Sequence, residues 1–175
     1  MDLIENLRID NTIYVSLIFF LIVIPIATSM GAEYAVVKHV SLKVTLIVTS
    51  VSMLLIVLSV YQLKSTYIDL SDETLSLNSL MYKSDLDLDT VDNIEYFKDG
   101  LPYEYLLLKR TNGIGLKNYY IGNFQVHGNK NAFVLATYPP FLVVTTKDKN
   151  LYIFSASENL HKSFVESIHQ ASSER

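Results

Sequence analysis

Hydrophobic residues are distributed very unevenly along this chain of 175 residues. Between Thr12 and Leu63 the only charged side chains are Glu33, Lys38 and Lys43. Beyond Leu63 charged residues are frequent, and apolar residues occur in short runs that alternate with polar ones. The pattern predicts an apolar N-terminal part followed by a water-exposed C-terminal part.

Two uncharged runs, about residues 12–32 and 44–63, are each long enough to form a membrane-spanning helix. A helix rises about 1.5 Å per residue, and the hydrocarbon core of a bilayer is about 30 Å thick. The connection over residues 33–43 is short, so the helices must be antiparallel neighbours. We predict an N-terminal tail of residues 1–12, a transmembrane hairpin over residues 13–63, and a soluble domain over residues 64–175.

A cleaved signal peptide is the alternative interpretation of the first run. The segment before the run is acidic, because Asp2, Glu5 and Asp10 outnumber Arg8. The run is also longer than the apolar region of most signal peptides. A permanent anchor, which makes the chain a multi-pass protein of the cell membrane, is therefore favoured.

The sequence gives only a weak indication of the side of the membrane on which the domain lies. Lys38 and Lys43 in the connection are balanced by Arg8 and Lys64 at the other ends of the helices, so the positive-inside rule gives a tie. Two helices return the chain to its starting side, which places the N-terminal tail and the domain in one compartment. We expect that compartment to be the cytoplasm.

The soluble part has the spacing of a mainly-β domain. Within Lys83–Leu88 acidic residues alternate with leucines, which is the period of a half-buried strand. Ser155 and Glu158 are placed to form a capping box ahead of a C-terminal helix with one apolar face. The sequence predicts a small β sandwich or barrel closed by a C-terminal α-helix. A turn is predicted at Asn112-Gly113, a dipeptide with turn chemistry. The strands are predicted at residues 66–70, 75–77, 83–88, 91–97, 105–110, 119–126, 132–138, 142–146 and 151–154.

Several motifs in a fixed order resemble the bacterial pleckstrin-homology-like (PH-like) domains that often follow one or two membrane helices. They cover residues 66–169, about three-fifths of the chain. The resemblance implies a fold and a membrane tether, and it implies no reaction. The matching segments are Tyr67–Leu77, Asp89–Ile94, Arg110–Leu116, Tyr120–Phe124, Leu142–Val144 and Tyr152–Ser155.

Candidate chemistry is sparse along the sequence. The chain has no cysteine, which excludes disulfides and thiolate catalysis. Asp85, Asp87 and Asp89 imitate the first ligands of a calcium loop, but Thr90 and Tyr96 stand where that loop needs glycine and glutamate. The four histidines are scattered, and no phosphate-binding or hydrolase motif is complete. We therefore predict a protein that is not an enzyme and has no cofactor or metal.

The charge distribution limits the possible partners. Residues 69–104 contain ten acidic residues and two lysines. This segment is therefore not suited to bind nucleic acid or anionic lipid, both of which are negatively charged. Eukaryotic PH domains bind phosphoinositides through basic residues near the first hairpin, where this chain has Ser71-Asp72-Glu73. Binding of phosphoinositide headgroups by that route is not expected.

The sequence favours a membrane-tethered interaction module that binds a protein or peptide partner at the membrane surface. The candidate interaction surface consists of Tyr138 and Phe141, which flank Pro139-Pro140, together with Lys109 and Arg110. The alternative is an accessory or sensor subunit of a membrane transporter or envelope complex, which would contact its partner through the helices. In both cases the lipid bilayer is bound through the two helices.

Overall fold

The structure, a computed structural model, describes residues 3–37 and 41–173. They form two compact units. One unit lies within residues 10–64 and is helical. The other combines residues 3–9 with the residues from Ser65 onward and is mainly β.

The helical unit contains two helices that are long and apolar enough to cross a membrane, Asn11–Ala35 and Leu42–Lys64 (α3), which confirms the predicted pair. The first consists of α1 (Asn11–Ile18), a π-helical turn (Phe19–Val23) and α2 (Ile24–Val37). Most side chains of both helices are exposed, as in helices that face lipid.

The π-helical turn ends two residues before Pro25, a residue type that kinks helices. Proline has no N–H, and its ring clashes with the carbonyl of the residue four positions earlier. One wider turn accommodates both effects without ending the helix.

Asp10 is the N-cap of α1, because its carboxylate accepts a hydrogen bond of 2.7 Å from the backbone N–H of Thr12.

The β domain contains two sheets. Within the described residues neither sheet closes into a barrel, so the sandwich alternative of the prediction is the appropriate one. The four-stranded sheet has the order β1-β2-β3-β4, and the six-stranded sheet has the order β5-β9-β10-β8-β7-β6. The strands are β1 (Leu3–Asn6), β2 (Tyr67–Leu70), β3 (Thr74–Asn78), β4 (Lys83–Asp87), β5 (Val91–Phe97), β6 (Leu107–Leu116), β7 (Tyr119–Val126), β8 (Asn131–Ala136), β9 (Phe141–Thr146) and β10 (Leu151–Ser155).

Strand β1 lies within residues 1–12, for which the sequence predicts only a tail. It pairs antiparallel with β2, with Leu3 opposite Leu70 and Asn6 opposite Tyr67. The backbone N–H of Leu7 then donates to the carbonyl of Thr66. Residues before the first apolar helix and residues after the second are therefore neighbours in one sheet.

The four central strands of the six-stranded sheet are buried on both faces. One face carries eight buried residues, among them Val134 and Ile153. Strands β5 and β6 lie at opposite edges of this sheet, so the connection between them crosses the four strands in the middle. Leu101 and Tyr105 of that connection pack on the buried face. Phe154 of β10, on the other face, packs edge-to-face on Phe164 of the C-terminal helix at 6.2 Å.

The turn predicted at Asn112-Gly113 is wrong, because both residues lie inside β6. Gly113 faces Gly122 of β7, and a Cβ atom on either glycine would collide with backbone atoms of the opposite strand. The glycines permit this close approach. The chain reverses five residues later, at Lys117-Asn118, where Asn118 adopts a positive φ of 59°.

The C-terminal helix, α4 (Glu158–Ser173), is capped differently from the prediction. Ser155 instead hydrogen-bonds the backbone of Thr137 and Tyr138. The cap is Ser157, whose hydroxyl accepts from the N–H of Leu160.

Glu5 of β1 completes this cap. Its carboxylate accepts from the Ser157 N–H at 2.9 Å and from the Ser157 hydroxyl at 2.6 Å. In a capping box the residue three positions into the helix provides that carboxylate, but here this position holds Leu160. A strand from the other end of the chain provides it instead.

Candidate interaction surface

Lys109 and Arg110 lie in β6, which forms one edge of the six-stranded sheet. Both side chains are exposed, as are the apolar neighbours Leu106 and Leu108. Within the described residues β6 pairs with β7 alone, so one side of its backbone is open. This edge combines free backbone groups, apolar side chains and two cations.

Two irregularities shape that edge. The pairing register between β6 and β7 shifts at Leu108 and again at Thr111. Such bulges increase the local twist and re-aim side chains. Thr111 is also fixed by a 2.9 Å hydrogen bond from its hydroxyl to the Asn123 carbonyl. The edge is therefore held in a defined shape.

Tyr138 and Phe141 are not the exposed rim that the sequence suggests. Phe141 is partly buried and packs against the core of the six-stranded sheet. Tyr138 is half-buried, and its hydroxyl accepts a 3.0 Å hydrogen bond from the Asn118 side chain. Between them the Pro139–Pro140 peptide bond is cis, and only Pro139 is exposed.

The four candidate residues do not form one surface. Phe141 begins β9, which lies four strands away from β6 in the sheet. At about 4.8 Å per strand this separation is roughly 19 Å. Lys109 and Arg110 therefore remain candidates for a contact on the β6 edge, and Tyr138 belongs to a different part of the domain.

Tyr138 marks one end of the six-stranded sheet, which we call the turn end. There the Lys117-Asn118 turn meets the connection between β8 and β9 through the bond from Asn118 to Tyr138. Tyr119, the next residue, shares a buried 3.2 Å hydrogen bond between its hydroxyl and that of Thr66. Sequence reasoning missed this end, because it placed the turn at Asn112-Gly113.

An acidic groove of about 790 Å³ lies at the first hairpin of the domain, on the side of α4. Its lining includes Asp72, Glu73, Asp87 and Asp89, with Gln170 on the helix side. An anionic headgroup would be repelled by these carboxylates. The groove therefore supports the expectation that this hairpin does not bind phosphoinositides.

Two tyrosines of the domain have a raised pKa. Burial, together with a 2.6 Å hydrogen bond to Glu95, raises the pKa of Tyr105 to about 12. Burial also raises the pKa of Tyr96, with further contributions from Glu158 and Glu5. Tyr96 stacks on His161 with ring centroids 4.3 Å apart. Tyr105 also packs against Phe97, with ring centroids 5.9 Å apart, so both rings contribute to packing.

The described residues contain no group of three or more histidine, aspartate or glutamate side chains placed to hold a metal ion. The main features of the domain are the open edge of β6, the hydrogen-bonded turn end and the packed interior. A sandwich of two sheets closed by one C-terminal helix is the architecture of a PH-like domain.

The family model of the bacterial PH domain matches residues 66–171, and the chain belongs to that family. The resemblance inferred from the sequence motifs is therefore confirmed. PH domains are generally non-enzymatic interaction modules. Neither a curated protein nor a solved structure matches this chain.

Proposed function

We propose that this protein is a membrane-anchored, non-enzymatic interaction module whose β6 edge binds a segment of a protein partner. Support comes from the bacterial PH domain family and from the two apolar helices that precede the domain. The helices anchor the chain in the cell membrane, and the domain works at the membrane surface on the cytoplasmic side.

The open edge of β6 is the observation that carries this proposal. An exposed strand edge presents unpaired N–H and C=O groups, to which an extended peptide can add as a further strand. Leu108 is 59% exposed, so an apolar side chain of the partner gains a contact there. Lys109 and Arg110 lie beside it, and residues 105–116 contain no acid. The expected partner segment is therefore extended, partly apolar and acidic.

Charge reversal on the β6 edge tests the proposal in the full chain. We expect Lys109→Glu with Arg110→Glu to abolish recovery of a protein that co-purifies with the wild-type chain from detergent-solubilised membranes. The reason is that two favourable charge contacts become repulsive. Quantitative co-purification, with each recovered protein measured against the bait, provides the readout.

The matched control is Lys98→Glu with Lys149→Glu, which makes the same charge change at exposed positions away from β6. We expect this control to retain the partner. Equal retention by both double variants would refute a binding site on the β6 edge. That outcome would favour the alternative, in which an accessory or sensor subunit of a transporter or envelope complex contacts its partner through the helices.

A second prediction concerns the membrane topology. Strand pairing between β1 and β2 requires the residues before the first helix and those after the second to lie on one side of the membrane. We expect reporter fusions before Leu3 and after Ser173 to give matching signals of the cytoplasmic type. Opposite signals would refute the hairpin, and matching external signals would refute only the cytoplasmic side.

A further inference from the structure

At the turn end of the domain, Thr66 joins two segments that are close in sequence to the apolar helices. Thr66 follows Lys64, the last residue of α3, by two positions. Its carbonyl accepts from Leu7, which is only four residues before α1 begins at Asn11. Its hydroxyl bonds Tyr119, the first residue after the Lys117-Asn118 turn. One buried threonine thus joins the turn to both chain segments that lead into the helices.

Cations stand next to the residues that this threonine bonds. Arg8 follows Leu7, and Lys117 precedes Tyr119 by two residues. Both side chains are exposed, and within the described part of the chain neither forms an ion pair. The carboxylate of Asp10, two residues after Arg8, is engaged in capping α1. These two cations contrast with a chain whose net charge is −4.

Apolar side chains accompany the cations at the turn end. Leu116 is 41% exposed at the end of β6, directly before Lys117. Pro139 is exposed in the connection that Tyr138 ties to Asn118. Apolar side chains flanked by lysine or arginine are suited to the boundary between headgroups and acyl chains.

We propose that the turn end of the domain rests on the bilayer, with Leu116 and Pro139 at the headgroup boundary and with Arg8 and Lys117 facing anionic lipid headgroups. The occupant is a lipid surface, because both segments beside Thr66 lead within four residues into helices that can span a membrane. The site is distinct from the acidic groove at the first hairpin and from the Lys109–Arg110 edge at the other end of β6. It rests on the membrane anchor of the proposed function and does not depend on a protein partner.

Fluorescence from a single introduced cysteine tests this contact in the full chain, which contains no native cysteine. The Leu116→Cys variant carries an environment-sensitive dye after reconstitution into vesicles of anionic and zwitterionic lipid. We expect blue-shifted emission and loss of most of its intensity when lipids with a quencher near the headgroup are included. Lys130→Cys is the matched control. Lys130 is exposed and lies beyond the other end of β7, about 25 Å from position 116 at 3.3 Å per residue. Its emission is expected to stay red and unquenched.

Charge reversal separates the electrostatic part of the contact. Arg8→Glu with Lys117→Glu should lower the quenching of the dye at position 116 in anionic vesicles, by about fivefold in the bound-to-free ratio for each cation that is lost. Quenching in zwitterionic vesicles should change little. High salt should also lower this quenching in the chain that retains Arg8 and Lys117.

Two outcomes would overturn the inference. One is equal, water-like emission from the dyes at positions 116 and 130. The other is a blue shift at position 116 that lipid quenchers do not reduce, since protein would then cover the turn end. Extraction with alkaline carbonate is measured on the same vesicles. A chain released by carbonate refutes the membrane anchor, whereas an integrated chain with a water-exposed turn end refutes only this inference.

Discussion

Phe164→Asp is expected to destabilise the β domain by about 3 kcal/mol or more. Phe164 is fully buried in α4 and packs edge-to-face on Phe154. The substitution removes this aromatic contact and places a carboxylate in an apolar seam, where it has no hydrogen-bond partner. Chemical denaturation followed by circular dichroism measures the loss, provided that the chain is kept in one detergent throughout.

Lys162→Asp is the control for this prediction, because it introduces the same residue on the exposed side of the same helix. Lys162 forms an exposed ion pair of 3.4 Å with Glu158. Such a pair contributes little, so the cost should be about 0.5 kcal/mol. Similar losses from Lys162→Asp and Phe164→Asp would show that Phe164 does not face the core.

Removal of β1 is expected to have the second large effect. We propose that the folding unit of the domain is residues 3–9 together with 65–173, in place of residues 64–175 alone. Without β1 the domain loses the buried side chain of Leu7, the pairing with β2 and the carboxylate of Glu5 at the start of α4. These losses should together cost about 3 kcal/mol, of which the cap contributes about 1. The exposed edge of β2 should also promote aggregation.

Two soluble chains test the role of β1. In the first, residues 3–9 are joined to residues 65–173 through a short Gly/Ser linker, which is feasible because Leu7 and Thr66 are hydrogen-bonded. The second begins at Ser65. We expect the joined chain to be monomeric and more stable in urea. Glu5→Ala in the joined chain should remove about 1 kcal/mol, the typical contribution of a helix cap, whereas Ile4→Ala, at an exposed position, should have a small effect. Equal stability of the two chains would refute the role of β1.

Elements with local periodicity were predictable from the sequence. Strand β7 begins and ends at the predicted residues, and the apolar stripe of α4 places Leu160 and Phe164 in the core as expected. Strand β1 was not predictable, because four residues carry little periodicity and their partner β2 follows two long helices. The cap of α4 was missed for the same reason: Glu5 is 152 residues distant from Ser157.

The candidate surface was only partly accessible to sequence reasoning. Lys109 and Arg110 are exposed as expected, since charged residues in a strand rarely lie in a core. Phe141 could not be placed, because an aromatic residue beside a proline pair fits an exposed rim and a core position equally well. The turn at Lys117-Asn118 was overlooked because Asn112-Gly113 carries the stronger hairpin signal. In this fold Gly113 serves close strand contact opposite Gly122.

The contact between Glu5 and Ser157 sets an order for biosynthesis. Glu5 leaves the ribosome 152 residues before its hydrogen-bond partner Ser157. Both apolar helices lie between β1 and β2 in the chain, so both must be synthesised before these strands can pair. Closing such long loops is entropically costly, so these contacts follow the local strand pairs in time. The cap that Glu5 provides on α4 therefore forms late, after both apolar helices have been synthesised.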